Sequence, residues 1–271
     1  MLITLNVGSS SLPNFTFTVS GTTYTFDANT QTNTVSGRYY FYRDGNNWEF
    51  YALASGTLSV LGSNKVDLFL CGGGQSGRRQ AAATSNNGGN GGARKTESSI
   101  TIVGTYEIVC GAGGSTATGL NTQNSGGAST FGAYTSAGGT VSSGGHRTNS
   151  SVVNGGAGGY SFGDSSAKGP DGNSRRVGAG GGHGAYAYTD GVNPGVWNAS
   201  NGGSYGGGNG GDAAISGGMT PYGNDGSAGS FFGAGGGGPG YYINTDPYVD
   251  VSGVGKGGAG YRGFVAIRNA R

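Results

Sequence analysis

The side chains that could perform chemistry in this chain are few and scattered. Hydrolysis needs a placed pair of carboxylates, or a nucleophile with a base beside it. Seven aspartates lie between residues 164 and 250, in turn-like loops where Asp commonly bonds its own backbone. His146 and His183 each lie among glycines with no partner visible in the sequence. We therefore predict no catalytic residues, and a protein that is not an enzyme.

The cysteines and the glycine runs give no cofactor signature either. Two Cys and two His do not make a metal-ligand spacing, so no metal is expected. Cys71 and Cys110 each end an apolar run, which suits small buried hydrophobes but leaves a disulfide open if those runs pair. A phosphate-binding loop needs a helix after its glycines and, in the P-loop, Gly-Lys-Ser/Thr. Residues 255–257 read Gly-Lys-Gly, and we predict no cofactor.

Charge and hydropathy exclude two further classes of protein. The 15 Lys and Arg nearly balance the 13 Asp and Glu, and basic pairs are scattered rather than arranged in a stripe. Nucleic-acid binding is therefore not expected. The N-terminal residues lack the basic region and apolar length of a signal peptide, and no stretch is long enough to span a membrane. We expect no export by a signal peptide and no membrane insertion.

Alternating apolar and polar residues predict an all-β fold with essentially no helix. Strands are predicted at residues 2–7, 15–19, 24–26, 38–43, 48–53, 57–60, 66–71, 99–103, 105–110 and 263–269. Asp44-Gly45 between aromatic strands predicts a hairpin, and Ser20-Gly21 predicts a second tight turn. The run at 66–71 is almost wholly apolar, which predicts burial on both faces. Gly104 predicts a corner or a bulge.

Glycine makes up 64 of the 271 residues and is concentrated in short runs between residues 111 and 262. Such runs can form extended threefold helices that bond to neighbouring chains where no Cβ intervenes. A disordered linker is the competing interpretation. Aromatic residues between the runs favour an ordered bundle. We therefore predict an N-terminal β domain at 1–56, and a glycine-rich domain at 57–271 closed by strands 66–71, 99–110 and 263–269.

The loops between glycine runs have the composition of a binding surface. Tyr and Trp give rigid contact area, while Ser, Gly and Asn give adaptable hydrogen bonds. Whether these rings contact a receptor or cover the sides of the bundle stays open at this stage. The receptor-contact candidates are Tyr186, Tyr188, Trp197, Tyr205, Tyr222, Tyr241, Tyr242 and Tyr248.

Four segments resemble the glycine-rich domain family of phage and prophage tail proteins. They are VDLFLCGGG at 66–74, ITIVGTYEIVCGAGG at 100–114, GGASTFG at 126–132 and GGAGYRGFVAIRNAR at 257–271. Cys110 stands where that family usually has valine. Residues 1–56 match nothing in the family pattern.

The resemblance implies a virion tail fibre or tail-tip protein without catalytic residues, made in the host cytoplasm and released by lysis. Its expected partners are other tail proteins, through the N-terminal domain, and a host-surface carbohydrate or protein, with a homo-oligomer also possible. The alternatives are a purely structural tail or baseplate protein, or a bacterial surface adhesin.

Overall fold

A computed structural model describes residues 14–79, 87–139, 146–147, 152–173, 176–182, 186–189, 195–197, 199–204, 206–211, 213–214, 222–244 and 255–270. Over these residues the chain is all-β, as the sequence predicts, and Ser161–Gly163 is the only helical turn. The strand predicted at residues 2–7 lies outside the described residues.

The strands follow one another along the chain with short connections as far as β6 and mostly longer, glycine-rich ones after it. They are β1 (Asn14–Val19), β2 (Thr22–Asp27), β3 (Thr34–Val35), β4 (Tyr39–Asp44), β5 (Asn47–Ala52), β6 (Gly56–Cys71), β7 (Arg94–Val109), β8 (Ser129–Phe131), β9 (Tyr134–Ser136), β10 (His146–Arg147), β11 (Val152–Val153), β12 (Gly159–Tyr160), β13 (Arg176–Val177), β14 (Tyr186–Thr189), β15 (Gly195–Trp197), β16 (Ala213–Ala214), β17 (Tyr222–Gly223), β18 (Tyr241–Asn244) and β19 (Phe264–Asn269).

One antiparallel sheet of ten strands organises the molecule. Its path runs β3-β4-β5-β19-β6-β7-β8-β9, and β1 pairs with both β6 and β2. The hairpin predicted at Asp44-Gly45 joins β4 to β5, with Gly45 at φ 58°. The turn predicted at Ser20-Gly21 joins β1 to β2, with both residues at positive φ. Both predictions are confirmed, because each turn needs the backbone conformation that those residue types permit.

The predicted break at Gly104 is a bulge rather than an end of a strand. Strand β7 continues through Gly104 at φ 76°, and the register against β6 shifts between Val60 and Asn64. The sequence predicts two short strands in the place of β6 and two in the place of β7. In the structure each of them is a single strand of 16 residues. A bulge absorbs extra residues and bends the ladder without ending it.

The sheet curls so that β1 and β2 pack face to face against β4 and β5. The ring centroids of Phe15 and Phe50 lie 5.2 Å apart at an interplanar angle of 72°, and those of Phe26 and Phe41 lie 5.6 Å apart. Edge-on and offset contacts of this kind are the favoured aromatic geometries. The aromatic residues of the first 50 positions thus form the main core, inside the fold of the sheet.

The second half of β6 is buried on both faces, as its apolar run predicts. Leu68 and Leu70 face the main core, whereas Phe69 and Cys71 face a second core. The chain between β7 and β19, which we call the glycine-rich excursion, covers that second core. The residues that do so are Phe162, Ala167, Val177 and Phe232. These parts of the excursion therefore pack against a face of the ten-stranded sheet.

Strands from both sides of residue 56 belong to the same sheet. Strand β19 lies between β5 and β6, so that Ala266 is paired with Tyr51 on one side and with Phe69 on the other. The C-terminal strand thus joins the first 52 residues to the glycine-rich part by two backbone ladders, and the two parts share one core.

The glycine-rich segments bond to one another with a repeat of three residues. Residues 72, 75 and 78 donate backbone hydrogen bonds to carbonyls at 93, 90 and 87, while residues 73, 76 and 79 donate to 127, 124 and 122. Residues 74 and 77 donate to 261 and 258. One segment thus bonds in turn to three neighbours, unlike a strand, whose bonding directions alternate between two.

We call these mutually bonded segments the glycine bundle: residues 72–79, 87–93, 111–117, 122–128, 155–158, 178–182, 202–203, 206–211, 224–240 and 255–263. Their backbones approach too closely for side chains. A Cβ on Gly77 would overlap the carbonyl of Gly237, and a Cβ on Gly236 would overlap the carbonyl of Gly258. The abundance of glycine at these positions therefore follows from packing.

Candidate binding surface

The structure describes the backbone of six of the eight receptor-contact candidates. Tyr205 and Tyr248 lie outside the described residues. Five others lie on a single three-stranded sheet of order β15-β14-β18, which we call the aromatic sheet. These five are Tyr186 and Tyr188 on β14, Trp197 on β15, and Tyr241 and Tyr242 on β18.

The register of the aromatic sheet places three of these residues in one row. Tyr186 pairs with Trp197 on the antiparallel side and with Tyr241 on the parallel side. Trp197 and Tyr241 are 44 positions apart in the sequence. They belong to one row because β14 lies between their two strands and pairs with each. The sequence places Tyr186 and Trp197 in one loop region, but it gives no reason to bring Tyr241 beside them.

The sixth candidate, Tyr222, lies on a neighbouring hairpin. Tyr222 is paired with Ala214 in the β16–β17 hairpin, and β17 lies beside β18 while β16 lies beside β14. The six candidates that the structure describes therefore lie on neighbouring strands.

Two segments of the glycine bundle lead directly into the aromatic sheet. Gly235 and Gly238 donate to the carbonyls of Ala179 and Gly182, both at 2.8 Å, so segments 179–182 and 235–238 run parallel. Each segment precedes one of the parallel strands β14 and β18. The two parallel strands thus follow, in the chain, two segments that are themselves bonded in parallel.

The bundle also connects this region to the ten-stranded sheet. Gly181 donates to Gly89 and Gly236 donates to Gln75, at 2.8 and 2.9 Å. Residues 72 and 93, where the bundle begins, directly follow the end of β6 and directly precede the start of β7. The aromatic sheet therefore lies at the opposite end of the bundle from the ten-stranded sheet.

The part of the sequence that contains the strands of the aromatic sheet has a charge that the whole-chain balance conceals. Residues 177–255 contain five aspartates and no lysine, arginine or glutamate, a formal charge of −5. Since the whole chain carries +2, the remaining residues carry +7. Counting charge by segment, rather than over the full length, would have found this asymmetry in the sequence.

A cluster of buried charges lies elsewhere in the described part of the chain, under the segment that covers the second core. Arg268 is 7% exposed and bonds Asp67 at 3.2 Å and Asp164 at 2.7 Å. The buried carboxylate of Glu49 accepts from the Tyr51 hydroxyl at 2.8 Å and from the backbone N–H of Lys168 at 2.9 Å. These bonds fix residues 164–168 to the sheet, and their burial makes them structural rather than ligand-binding.

Burial, charge and hydrogen bonds shift two pKa values in this cluster. Burial, reinforced by the charge of Glu49 and its hydrogen bond, raises the pKa of Tyr51 well above its ordinary value. Burial also acts to raise the pKa of Asp164, but bonds from Ser166 and Arg268 outweigh it and lower the value to about 2. Asp67 and Arg268 are directly paired in register across β6 and β19, which places their opposite charges side by side.

The two cysteines are free thiols. Cys71 is buried, Cys110 is partly buried, and desolvation raises the pKa of each to about 12. Thiols of this kind are unreactive at neutral pH. Within the described ranges no group of three or more His, Cys, Asp and Glu could hold a metal, and no helix there is long and apolar enough to cross a membrane.

A family model described as a glycine-rich domain matches residues 53–270, from the end of β5 to the end of the described chain. No curated protein matches the sequence.

Proposed function

The chain belongs to the glycine-rich domain family over residues 53–270, and from that premise we propose that it is a bacteriophage tail component that binds the host surface through the aromatic sheet. The observation that carries the binding role is the grouping of Trp197, Tyr186 and Tyr241 in one row at the outer end of the bundle. Tyr and Trp on a rigid support are favourable for recognition, because few rotamers are lost on binding.

The assignment to a phage tail is supported by the motifs at residues 66–74, 100–114 and 257–271. The resemblance places such motifs at the two ends of the glycine-rich domain. In this chain they contribute parts of β6, β7 and β19, which are neighbours in the ten-stranded sheet. Residues 1–56 remain the proposed contact with other tail proteins.

We also infer that the glycine bundle consists of polyglycine-II-type helices. The support is the hydrogen-bond repeat of three residues, together with carbonyls that approach too closely for any Cβ. Such helices have three residues per turn and rise about 3.1 Å per residue. The eight residues from Gly72 to Arg79 would then span about 22 Å.

The same rigid bundle would also suit a purely structural tail or baseplate protein, and cell binding separates the two roles. Labelled full-length protein is mixed with a panel of bacterial strains. We expect saturable binding to at least one strain, weakened about tenfold by Trp197→Ala or Tyr188→Ala. The control is Tyr134→Ala on β9, in the ten-stranded sheet, which should bind as the wild type does. No saturable binding to any strain, or equal losses in all variants, would leave the structural role.

A further inference from the structure

We propose that residues 2–7 pack into an apolar trough on strands β1, β2 and β6. The trough has a volume of about 480 Å³. It lies where β1 begins at Asn14, beside Asp27 at the end of β2 and Leu61 on β6, both of which pair with Asn14 in register. It shares no residue with the aromatic sheet, so it is a second interaction surface.

The trough is lined mainly by carbon atoms. Phe15, Phe26 and Val60 contribute to its lining and also belong to the main core. Leu61 lines it too and, at 76%, is the most exposed large hydrophobic side chain in the described part of the chain. Val103, which is 59% exposed, lies in the same bulge between β6 and β7. Covering these side chains removes apolar surface from water, so the site favours an apolar occupant.

The charged residue of the trough is already bonded within its own loop. Among the described residues that line the trough, Asp27 alone is charged, and its carboxylate accepts hydrogen bonds from Asn29 and Thr30. The hydroxyl of Ser59 bonds the Thr105 hydroxyl at 3.0 Å. An ion or a sugar needs convergent polar groups that are free to bind it. The trough therefore fits apolar side chains better than it fits either of these ligands.

The chain supplies an apolar segment at the rim of the trough. Asn14 is the first residue that the structure describes, and it lines the trough itself. The sequence before it reads Leu-Ile-Thr-Leu-Asn-Val at residues 2–7. In an extended strand Ile3, Leu5 and Val7 share one face, because successive side chains alternate. That face has the apolar character that the trough requires.

The connection between the segment and β1 is long enough for this contact. Residues 8–13 read Gly-Ser-Ser-Ser-Leu-Pro and can extend to about 20 Å, whereas three adjacent strands are about 10 Å across. Glycine and serine at the start of the connection suit a reversal of the chain. A segment on so short a tether has a millimolar effective concentration. It therefore has an advantage over a separate chain or a dissolved apolar molecule.

Disulfide formation between the segment and the trough tests the contact in the full-length protein. Leu5→Cys with Leu61→Cys should form a disulfide within one chain on mild oxidation, because their Cα atoms come within the about 7 Å that a disulfide can bridge. The matched control is Leu5→Cys with Val35→Cys, since Val35 is 70% exposed on β3 and does not line the trough. We expect at least about tenfold more disulfide in the first pair. The native thiols do not interfere, because burial raises the pKa of both Cys71 and Cys110 to about 12.

A charge on the apolar face of the segment gives a second readout. Leu5→Asp should uncover the trough and raise the fluorescence of a hydrophobic dye at least about twofold. Thr4→Asp, on the opposite face of the segment, should leave the dye signal at the wild-type level. Adding Leu61→Asp to Leu5→Asp should lower the signal again, because the trough then carries a charge. Thermal unfolding of each variant shows that the fold is intact.

Mass spectrometry of the digested protein locates the disulfide, and size-exclusion chromatography shows whether it joins one chain or two. An equal yield in the two cysteine pairs would overturn the proposal. A disulfide found only between two chains would also overturn it, because a second copy would then supply the occupant. Equal dye signals for Leu5→Asp and Thr4→Asp would contradict it as well. None of these measurements involves host cells, so their failure leaves the proposed function standing.

Discussion

At the scale of single residues, the molecule depends on a few buried charges that are paired across long sequence distances. Arg268 bonds Asp67, 201 positions away, and Asp164, 104 positions away. Both Arg268 and Asp67 lie in apolar strands and are almost fully buried. A charge in such a place is tolerated only with its partner, because an isolated one would lack both water and a counter-ion.

Removing the positive member of this cluster should destabilise the fold strongly. Arg268→Met leaves Asp67 buried without its counter-ion, and we expect the free energy of unfolding to fall by about 3–5 kcal/mol. The matched control is Lys95→Met, since Lys95 pairs with Glu97 at 3.1 Å on the surface and its loss should cost less than about 1 kcal/mol. Urea denaturation measures both. Equal losses of unfolding free energy in the two variants would show that burial does not determine how much the Arg268–Asp67 pair stabilises the fold.

Asp164 should make stability depend on pH in the acid range. Its pKa is about 2 in the folded protein, below the ordinary value of 3.8, so the unfolded chain takes up a proton first as pH falls. The stabilisation is complete above about pH 4 and is lost as pH falls through about 2. The stability difference between wild type and Asp164→Asn should therefore shrink between these two pH values. A difference that does not vary with pH would contradict the role of the ionised carboxylate.

At the scale of elements, the glycine bundle replaces side-chain packing by backbone contact. Its segments bond to three neighbours in turn, and the aromatic residues Phe162 and Phe232 cover the sheet beside it. Glycine costs more conformational entropy on folding than other residues do. Hydrogen bonds between the segments offset this entropy cost. At these glycines the bonds form because no Cβ keeps the backbones apart.

Adding a single methyl group inside the bundle should therefore destabilise the fold. A Cβ on Gly236 would overlap the backbone carbonyl of Gly258, and Gly236→Ala should lower the free energy of unfolding by about 1–3 kcal/mol or more. Gly37 is the matched control, because a Cβ there meets no atom within 4 Å. Gly37→Ala should change stability by less than about 0.5 kcal/mol. Thermal unfolding compares them, and a Gly236→Ala protein as stable as Gly37→Ala would refute close backbone packing.

At the scale of the whole molecule, the chain closes on itself through β19. This last strand lies between β5 and β6 and bonds to both. The glycine-rich excursion is therefore a loop between strands of one sheet, and its two ends are fixed by the same core. Such closure holds a long excursion in place without requiring it to form a core of its own.

The shared sheet predicts that residues 56–271 do not fold alone. Without β4 and β5, strand β19 would expose an unpaired edge and the main core would lose Trp48 and Phe50. Fragments 1–55 and 56–271 produced together should associate and copurify, whereas 56–271 alone should aggregate. Size-exclusion chromatography and circular dichroism measure both. A monomeric 56–271 fragment with the stability of the full chain would instead support two independent domains divided near residue 56.

The all-β class, the two tight turns and the doubly buried strand at 66–71 could be predicted from the sequence, because they depend on local conformation and on the order of apolar residues along one strand. The concentration of glycine between strands and the aromatic residues of the loops are also visible there. Other features needed the folded chain: the strands before residue 56 share a sheet with β19, Arg268 meets Asp67 and Asp164, and Trp197, Tyr186 and Tyr241 form one row. Each of these joins residues dozens to hundreds of positions apart, and glycine runs without side chains leave no local pattern from which such pairings could be predicted.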